Sequence, residues 1–367
     1  MNFAAAISSA EDAFLRKALP GSSPKIEQLR EEIKVINAPA NRAMAKAILL
    51  DGESGVGKNH LARVLAAHTA VMLSQGPEQA EIINNWETNA RISLTEILVP
   101  GIPSSVLEAE LFGAMKGSYT DLKSDRVGAF GSDGTFILLD EIGDCPMEIQ
   151  TKLLHVVDTG SYRPLGGEEQ RTEKRILLAT NRDLQALTRQ GKFRQDLLWR
   201  LDTKLTLPAL REQPENIASL ITTIYEKHAK SYENALVTLP KVSPRDITWA
   251  EGYRWPGNIR QLDRAVAQFM IRSGKMSLKE IALAQERQFA APVTAEGSLS
   301  LELESLKPIG SLDKALKREL SAARQTIVVW FDEKRPGNAE LKRVFPQSKP
   351  TSVRAKISQW RTISAPK

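Results

Sequence analysis

The chain is poor in the residues that build covalently linked or metal-held folds. Among its 367 residues are one cysteine and four histidines. The lone thiol, Cys145, excludes an internal disulfide framework and fits a reducing compartment. The histidines are scattered, so the ligand spacing of a zinc site is missing. These shortages indicate a fold held by ordinary packing and predict a cytoplasmic protein.

Long apolar runs are missing as well. No run approaches the roughly 20 residues that a membrane-spanning helix needs. The N-terminal stretch MNFAAAISSAEDAF has neither a basic start nor a continuous apolar core, so it is not typical of a secretory signal. Hydrophobic residues make up 42% and charged residues 26% of the chain, which is typical of a soluble globular protein. We therefore expect no membrane partner and, from the length, about two or three domains.

Positive charge is concentrated near the C-terminus. Residues 305–367 hold 14 Lys and Arg against 5 Asp and Glu, a balance of +9, whereas the whole chain carries +6. The remainder therefore carries about −3, from 6 − 9. A basic tail on a slightly acidic body favours a polyanion-binding module at the C-terminus. A solvated basic face is the alternative.

Short apolar runs alternate with helical patterns in the first half of the chain. Three of them are typical of buried strands: Ala47–Leu50, Thr135–Leu139 and Arg175–Ala179. This alternation predicts an α/β fold with a parallel sheet flanked by helices. Residues 75–105 contain several Gly and Pro residues and are expected to be irregular. From about Leu210 the pattern becomes helical.

A glycine-rich turn between the first strand and the next helix is typical of a phosphate-binding loop. Its glycines let the backbone wrap, so that N–H groups and the helix N-terminus face the phosphates of ATP. Lys58 is placed to reach the β- and γ-phosphates, and Asn59 stands where a Ser or Thr hydroxyl usually binds magnesium. A purely structural turn is the alternative. The candidate nucleotide-binding residues of the loop are Gly52, Glu53, Ser54, Gly55, Val56, Gly57, Lys58 and Asn59.

Two carboxylates follow the second apolar run, in the sequence FILLDE. Asp140 is placed to hold Mg²⁺, directly or through water. Glu141 is placed to orient and deprotonate the attacking water, because phosphoryl transfer depends on positioning and charge. The alternative is that both residues only cap the following helix. With Lys58 upstream, the pair predicts an ATP- and Mg²⁺-dependent hydrolase.

Eight blocks give the chain a specific resemblance. They are GESGVGK (52–58), ELFGAMKGSYT (110–120), DGTFILLDEIGDCP (133–146), GSYRPLGG (160–167), ATNRDL (179–184), GKFRQDLLWRL (191–201), LPALREQPENI (207–217) and WPGNIRQL (255–262). In this order they resemble the central domain of bacterial enhancer-binding proteins, the AAA+ activators of sigma-54 RNA polymerase. In that family the residue after the P-loop lysine is usually acidic, so Asn59 is a mild departure.

The resemblance implies roles for residues outside the P-loop. Thr180 and Asn181 resemble the first sensor, which reports the γ-phosphate, and Arg260 resembles the second sensor in the helical lid. Arg194 and Arg200 resemble the arginine fingers, which act on the nucleotide of a neighbouring subunit. Surface ion pairs are the alternative for each arginine. Fingers that act in trans imply a homo-oligomeric ring, expected to be a hexamer.

The resemblance also implies the domain organisation. We expect an AAA+ P-loop NTPase fold followed by an α-helical lid and a small α-helical C-terminal domain. The expected boundaries are an N-terminal helix at 1–19, the α/β nucleotide-binding subdomain at 20–208, the lid at 209–289, a linker at 290–311 and a helix-turn-helix domain at 312–367.

The loop that touches sigma-54 in the family departs from its signature, GAFTGA. The aligned residues are Gly117, Ser118, Tyr119, Thr120, Asp121 and Leu122. An aromatic residue and the threonine are kept, whereas the second glycine and the alanine become Asp121 and Leu122. Losing a glycine matters if its backbone needs a positive φ, and a new charge alters the complementarity of the contact. Three outcomes stay open for this loop: it still contacts sigma-54, it contacts an altered surface, or it has lost the contact with sigma-54.

A second departure concerns the asparagine switch that the family carries before its ELFG block. Ungapped alignment places Leu98 there, and after realignment Ser93, Thr95 or another residue is the alternative, so the switch residue stays unassigned. Nothing resembling a sensory domain precedes Pro20. We therefore expect control by a regulatory protein in trans, by expression level, or by the N-terminal helix.

The C-terminal residues resemble a divergent Fis-type helix-turn-helix. The pattern predicts a long amphipathic helix from Leu312, then a short helix, and last the helix TSVRAKISQWR, which would enter the major groove of double-stranded DNA. Ser352, Arg354 and Lys356 are the candidate DNA contacts. A basic protein-docking module is the alternative.

Together these patterns predict a DNA-bound, ATP-dependent transcriptional regulator that remodels sigma-54 RNA polymerase as a ring. Two alternatives stay open. The first is an AAA+ DNA-binding regulator that acts without sigma-54, which the altered loop favours. The second is a ring remodelling ATPase of another pathway, with the tail as an adaptor.

Overall fold

A computed structural model describes residues 3–118, 124–230 and 239–290, with side chains described for 9–118, 124–230 and 239–287. These residues lie almost wholly in the first of the two units of the chain, Met1–Gln285. The helices are α1 (Phe3–Ala18), α2 (Pro24–Asn37), α3 (Pro39–Arg42), α4 (Lys58–Leu73), α5 (Gly76–Asn84), α6 (Trp86–Ser93), α7 (Ser104–Phe112), α8 (Met147–Thr159), α9 (Leu184–Arg189), α10 (Gln195–Trp199), α11 (Ile217–Ala229), α12 (Pro244–Gly252), α13 (Asn258–Ile271) and α14 (Leu278–Ala290). The strands are β1 (Ala47–Asp51), β2 (Leu94–Leu98), β3 (Phe136–Asp140), β4 (Ser161–Tyr162), β5 (Gln170–Arg171), β6 (Arg175–Thr180) and β7 (Thr203–Thr206).

The main sheet has five strands in the order β2-β3-β6-β1-β7, and every neighbouring pair is parallel. Strands β1, β3 and β6 are almost wholly buried, as expected for apolar runs that are covered on both faces. Because the strands are parallel, all their carboxyl ends meet at one edge of the sheet. Strand β1 lies between β6 and β7, so the loop after β1 opens at the kind of position where α/β sheets bind ligands.

Side chains that alternate along the strands pack into separate cores on the two faces of the sheet. Leu50, Leu138 and Leu177 join the core that also contains residues of α1, α2 and α4. Leu49, Leu139 and Leu178 join the other core, with residues of α7, α8 and α10. The parallel α/β architecture with helices on both faces is therefore confirmed.

The expectation of an irregular segment at residues 75–105 was wrong. This segment contains α5, α6, strand β2 and the start of α7. Gly76 and Pro77 open α5, since proline suits the first turn of a helix, where its missing N–H costs nothing. Trp86 and Ala90 of α6 are buried in the core with α4, and Ile82 and Ile83 of α5 pack against that core half-buried. Tertiary packing therefore stabilises two short helices that the local sequence does not predict.

The residues after β7 form a small helical body. Its core contains Ile217, Ile221, Leu262 and Val266 and surrounds Trp255, whose side chain is fully buried. Trp255 Nε1 donates to the Ala250 carbonyl at 2.8 Å, which satisfies the only polar atom of that side chain. Within the described residues, no helix is long and apolar enough to cross a membrane.

Candidate functional site

The P-loop leaves β1 at Asp51 and ends where α4 begins at Lys58. Gly57 precedes the helix with φ 106°, a left-handed conformation that glycine adopts without a steric penalty. The Lys58 side chain is buried, and its Nζ donates to the carbonyls of Gly52 at 2.8 Å and Glu53 at 3.2 Å. The ammonium group therefore folds back over the loop and lies against its backbone.

Burial lowers the pKa of Lys58, and the nearby carboxylates of Glu141 and Asp140 oppose this shift. The loss of hydration outweighs their attraction, so the ammonium group is short of negative partners. Phosphate oxygens in the loop would supply them. The electrostatics of the loop thus favour an anionic ligand.

Asp140 ends β3 and links two neighbouring groups. Its Oδ2 accepts a hydrogen bond from Asn59 Nδ2 at 3.0 Å, and its Oδ1 accepts one from the Glu141 backbone N–H at 3.1 Å. Glu141 has φ 58° and ψ 50°, a left-handed conformation that is uncommon outside glycine. Such backbone geometry costs free energy, and it is often found at functional sites.

The donor set at this edge fits a magnesium ion. Asp140 supplies hard carboxylate oxygens beside the P-loop, and Asn59 supplies an amide. No group of three or more His, Cys, Asp or Glu that could hold a metal occurs among the described residues. Mg²⁺ suits such a site, because proteins usually hold it through one or two carboxylates together with substrate phosphates and water.

The three named candidates for the switch residue lie on β2 or next to it. Leu98 pairs with Asp140, whereas Thr95 pairs with Ile137, three residues earlier on β3. A spacing of three residues is about 10 Å along a strand. Ser93 precedes β2, and its backbone carbonyl accepts a hydrogen bond from the Thr135 backbone N–H. The residue beside Asp140 is therefore an exposed leucine, whose side chain has no hydrogen-bonding group to offer Glu141.

The first-sensor candidates lie at the end of β6, next to β3. Thr180 is buried, and its Oγ1 accepts from the Arg182 backbone N–H at 3.0 Å. A Cβ atom built on Gly143, in the turn after Glu141, would lie 3.2 Å from Thr180 Oγ1. Asn181 follows at the surface. The sheet thus brings both residues to the edge that carries Asp140 and Glu141.

The two finger candidates flank α10 and point to α8 rather than to the P-loop of their own chain. The Arg194 guanidinium binds both carboxylate oxygens of Asp196, at 2.9 and 2.6 Å, and donates to Thr151 Oγ1 at 3.0 Å. Arg200 Nε lies 2.7 Å from Asp158 Oδ1, and its side chain is 59% exposed. Within one chain both arginines are therefore held in surface ion pairs.

The helical body contacts the P-loop directly. Arg260 NH1 donates to Ser54 Oγ at 3.2 Å, and the Arg260 backbone N–H donates to the Gly55 carbonyl at 3.1 Å. The sequence did not reveal Arg211 and Asn258, whose side chains donate to the Glu53 carboxylate. Both lie in the blocks LPALREQPENI and WPGNIRQL, so the resemblance held the signal although no role was assigned to them.

The stem of the candidate target loop is built from backbone bonds. Ala114 exchanges N–H···O bonds with Arg126, and Met115 N–H donates to the Leu165 carbonyl. Lys116 N–H donates to Asp125 Oδ1 at 2.7 Å. Gly117 and Ser118 continue from this stem. The other predicted contacts of the loop lie outside the described residues: Tyr119, Thr120, Asp121 and Leu122.

Comparison with known families identifies this architecture. Residues 19–206 match the sigma-54 interaction domain. The chain belongs to the sigma-54 interaction domain family. Residues 211–298 match the AAA+ ATPase lid domain, so the described residues form an AAA+ ATPase domain with its lid. The resemblance drawn from the sequence blocks is thereby confirmed.

Individual relatives of this family are regulatory proteins. The chain is 32% identical over 305 residues to the regulatory protein AtoC of Escherichia coli, covering 82% of this chain and 59% of AtoC. It is 34% identical over 254 residues to the anaerobic nitric oxide reductase transcription regulator NorR of Aeromonas salmonicida, covering 68% and 45%. The chain thus spans about three fifths of the length of AtoC and less than half of NorR.

A solved structure supports the fold. NtrX from Brucella abortus matches with a TM-score of 0.57 at 24% identity, over 95% of this chain and 70% of that one. At this identity the likeness speaks for the fold alone. The predicted linker at 290–311 was expected one residue too early, since Ala290 is the last residue of α14. The rest of that linker, the predicted helix-turn-helix domain and its DNA contacts Ser352, Arg354 and Lys356 lie outside the described residues.

Proposed function

We propose that this chain hydrolyses ATP as a ring oligomer, a hexamer, and uses the cycle to remodel sigma-54 RNA polymerase from an upstream DNA site. The observation that carries the proposal is the convergence of three groups at one edge of the sheet. Lys58, Asp140 and Glu141 meet there, and the lid reaches the same loop through Arg260, 3.2 Å from Ser54.

The proposed chemistry assigns one task to each group. The backbone N–H groups of the P-loop and the Lys58 ammonium bind the phosphates of ATP. Asp140 and the Asn59 amide would hold Mg²⁺, which would supply positive charge beside the phosphates when it is bound. Glu141 orients the attacking water and accepts its proton. Thr180 and Asn181 lie on the adjacent strand end, where they would respond to the γ-phosphate.

The placement of the arginines supports the proposed ring. Arg194 and Arg200 form ion pairs with Asp196 of α10 and Asp158 of α8 in their own chain, and no ion pair joins either arginine to Glu141. They would act on the nucleotide of the next subunit, where an arginine stabilises the charge of the transferring phosphoryl group. A head-to-tail contact of this kind closes into a ring when its rotation permits.

The target loop would connect hydrolysis to the polymerase. Its stem, at Ala114 and Arg126, is fastened to Leu165 by backbone bonds, so a movement of either segment carries the other. A nucleotide can drive remodelling only if its ATP and ADP states bind the partner of the loop differently. The basic residues 305–367 would tether the ring to DNA, and a regulatory protein in trans would control it.

The deciding experiment is an open-complex assay with purified sigma-54 polymerase and a linear promoter fragment. The wild-type chain is compared with the double variant Asp121→Gly, Leu122→Ala, which restores the family signature. We expect ATP-dependent isomerisation with both chains, and a larger extent with the double variant. Isomerisation with neither chain, while both hydrolyse ATP, would reject sigma-54 as the partner and leave the ATPase in place.

The altered loop favours one alternative, an AAA+ regulator that binds DNA without engaging sigma-54. Asp121 and Leu122 place a charge and a bulky side chain where the family signature has glycine and alanine. Isomerisation by the double variant alone would establish this alternative, because it locates the defect in the loop. A mobility shift on DNA fragments separates both regulators from a pure remodeller of another pathway, which would show no sequence-specific binding that persists at high salt.

A further inference from the structure

The carboxylate of Glu53 faces the lid although the residue belongs to the P-loop. Arg211 grips it with two nitrogens, NH1 at 2.8 Å from Oε2 and NH2 at 2.5 Å from Oε1. Asn258 Nδ2 donates to Oε2 at 3.1 Å. The hydrogen bonds from Arg211 and Asn258 lower the pKa of Glu53 to about 2, so the group is an anion at every working pH.

An anion inside a phosphate cradle works against the ligand unless its charge is compensated. The loop already carries N–H groups and Lys58 for the phosphates, and a free carboxylate would repel them. The guanidinium of Arg211 neutralises the Glu53 carboxylate through its two hydrogen bonds. The carboxylate is thereby occupied by partners from beyond β7, so it serves the loop by fixing its position rather than by binding the ligand.

Asn258 connects the same carboxylate to the start of the lid. Its side chain is fully buried, and each of its polar atoms has a partner. Oδ1 accepts from the Leu210 backbone N–H at 2.9 Å, and Nδ2 donates to Glu53 and to the Ser54 carbonyl at 3.0 Å. One amide therefore joins the P-loop, the connection that follows β7 and the first residue of α13.

The backbones of loop and lid are in contact at the same place. A Cβ atom built on Gly55 would lie 2.5 Å from the Gly257 carbonyl oxygen, so no larger residue fits there without a shift. Movement of the lid at Gly257 therefore displaces the P-loop or breaks the contacts of Glu53.

We infer that Glu53 is a positioning residue that couples the lid to the P-loop. Through Arg211 and Asn258 it holds the loop in its phosphate-binding shape while the lid is seated, and it releases the loop when the lid moves away. Coupling of this kind is reciprocal, so phosphates in the loop also favour the seated lid. The inference concerns the nucleotide site and does not depend on which partner the ring remodels.

The test measures binding of fluorescent N-methylanthraniloyl-ADP to the full chain, with and without Mg²⁺. We compare Glu53→Gln, Arg211→Gln and the double variant with wild type. Each single variant is expected to raise Kd roughly tenfold, a typical size for coupling between sites. The Kd of the double variant should not exceed the higher Kd of the two single variants, because both changes break the same contact. In ATP turnover, KM should rise by a similar factor, while kcat at saturation changes by less than about threefold.

Glu31→Gln is the matched control, since Glu31 pairs with Lys34 on the surface of α2 and the side chain is 66% exposed. Its Kd should equal that of wild type. Arg211→Lys keeps the charge but loses the bidentate hydrogen bond. Its Kd should lie between those of wild type and Arg211→Gln. Thermal unfolding of each variant separates loss of coupling from loss of fold.

Two results would overturn the inference. One is a Kd for Glu53→Gln that equals the wild-type Kd. The other is a fold increase in Kd for the double variant that equals the product of the fold increases for the two single variants. A wild-type chain that binds no ADP would overturn the nucleotide site itself, and the coupling with it. A further result is possible, in which the variants bind ADP more weakly as expected but the wild-type chain is inactive on sigma-54 polymerase. It would support the coupling and reject only the proposed partner.

Discussion

Asn59 donates a hydrogen bond from Nδ2 to Oδ2 of Asp140 across 3.0 Å, so the first turn of α4 is tied to the end of β3. The other oxygen of the same carboxylate accepts from the Glu141 backbone N–H. Asn59 thus fixes the group proposed to hold Mg²⁺, and through it the backbone of the proposed base. A Ser or Thr hydroxyl at this position would bind the metal. The Asn59 amide also donates a hydrogen bond to the Asp140 carboxylate.

Replacing this amide should slow hydrolysis more than it weakens nucleotide binding. A hydrogen bond to a charged group contributes about 1.5–3 kcal/mol, so Asn59→Ala should lower kcat by roughly 10–150-fold if all of that free energy positions Asp140. Asn59→Asp should require a different Mg²⁺ concentration for half-maximal turnover, because it adds a second carboxylate beside Asp140. Steady-state turnover over a Mg²⁺ titration measures both. An unchanged kcat in Asn59→Ala would show that Asp140 is positioned without the amide.

Glu141→Gln should abolish turnover while ATP still binds. The substitution keeps the size of the side chain and removes its ability to take a proton, so it separates chemistry from binding. Lys58→Ala should instead lose binding, since it removes the buried ammonium group that bonds to the Gly52 carbonyl at 2.8 Å. Phosphate release and equilibrium binding of ATP, measured on both variants, distinguish the two defects. Turnover that survives in Glu141→Gln would mean that another group is the base.

The arginines should be needed in trans. Arg200→Ala and Glu141→Gln chains should each be inactive alone, yet active when mixed. An active site of the Arg200→Ala chain then meets an intact arginine of its neighbour. In a closed ring assembled at random, about one interface in four has this combination, so mixing should recover up to about a quarter of wild-type turnover. No recovery from subunits that demonstrably co-assemble would place Arg200 in the surface ion pair with Asp158 and exclude a role in trans.

Much of the nucleotide edge was predictable because local sequence determines it. The P-loop needs glycine at fixed positions, and the strand before Asp140 is a continuous apolar run, which few other elements produce. The sheet class followed from the alternation of such runs with helices. The lid was expected from the WPGNIRQL block, and its match to the AAA+ lid bears that out.

The remaining features depend on contacts between distant parts of the chain. Helix α6 is stabilised because Trp86 and Ala90 are buried in the core with α4, and α5 packs Ile82 and Ile83 against the same core. No local sequence pattern predicts these contacts. The hydrogen bond from Asn258 to Glu53 joins residues 205 positions apart. The residue beside Asp140 on β2 depends on strand register, and alignment over a segment longer than usual left Ser93, Thr95 and Leu98 undecided. The pairing in the structure shows only that Leu98 is the β2 residue beside Asp140.

The N-terminal helix should be part of the folded ATPase domain rather than an appendage. Phe14 of α1 is fully buried, and its ring meets that of Trp86 edge-on, with centroids 6.0 Å apart. Phe14→Ala should therefore lower the free energy of unfolding by about 3–5 kcal/mol, as expected for an aromatic side chain removed from a core. Arg16→Ala is the control on the same helix, because its side chain is 63% exposed and its loss should change stability by no more than about 0.5 kcal/mol. Urea unfolding followed by circular dichroism measures both, and equal midpoints for Phe14→Ala and wild type would show that α1 adds nothing to the core.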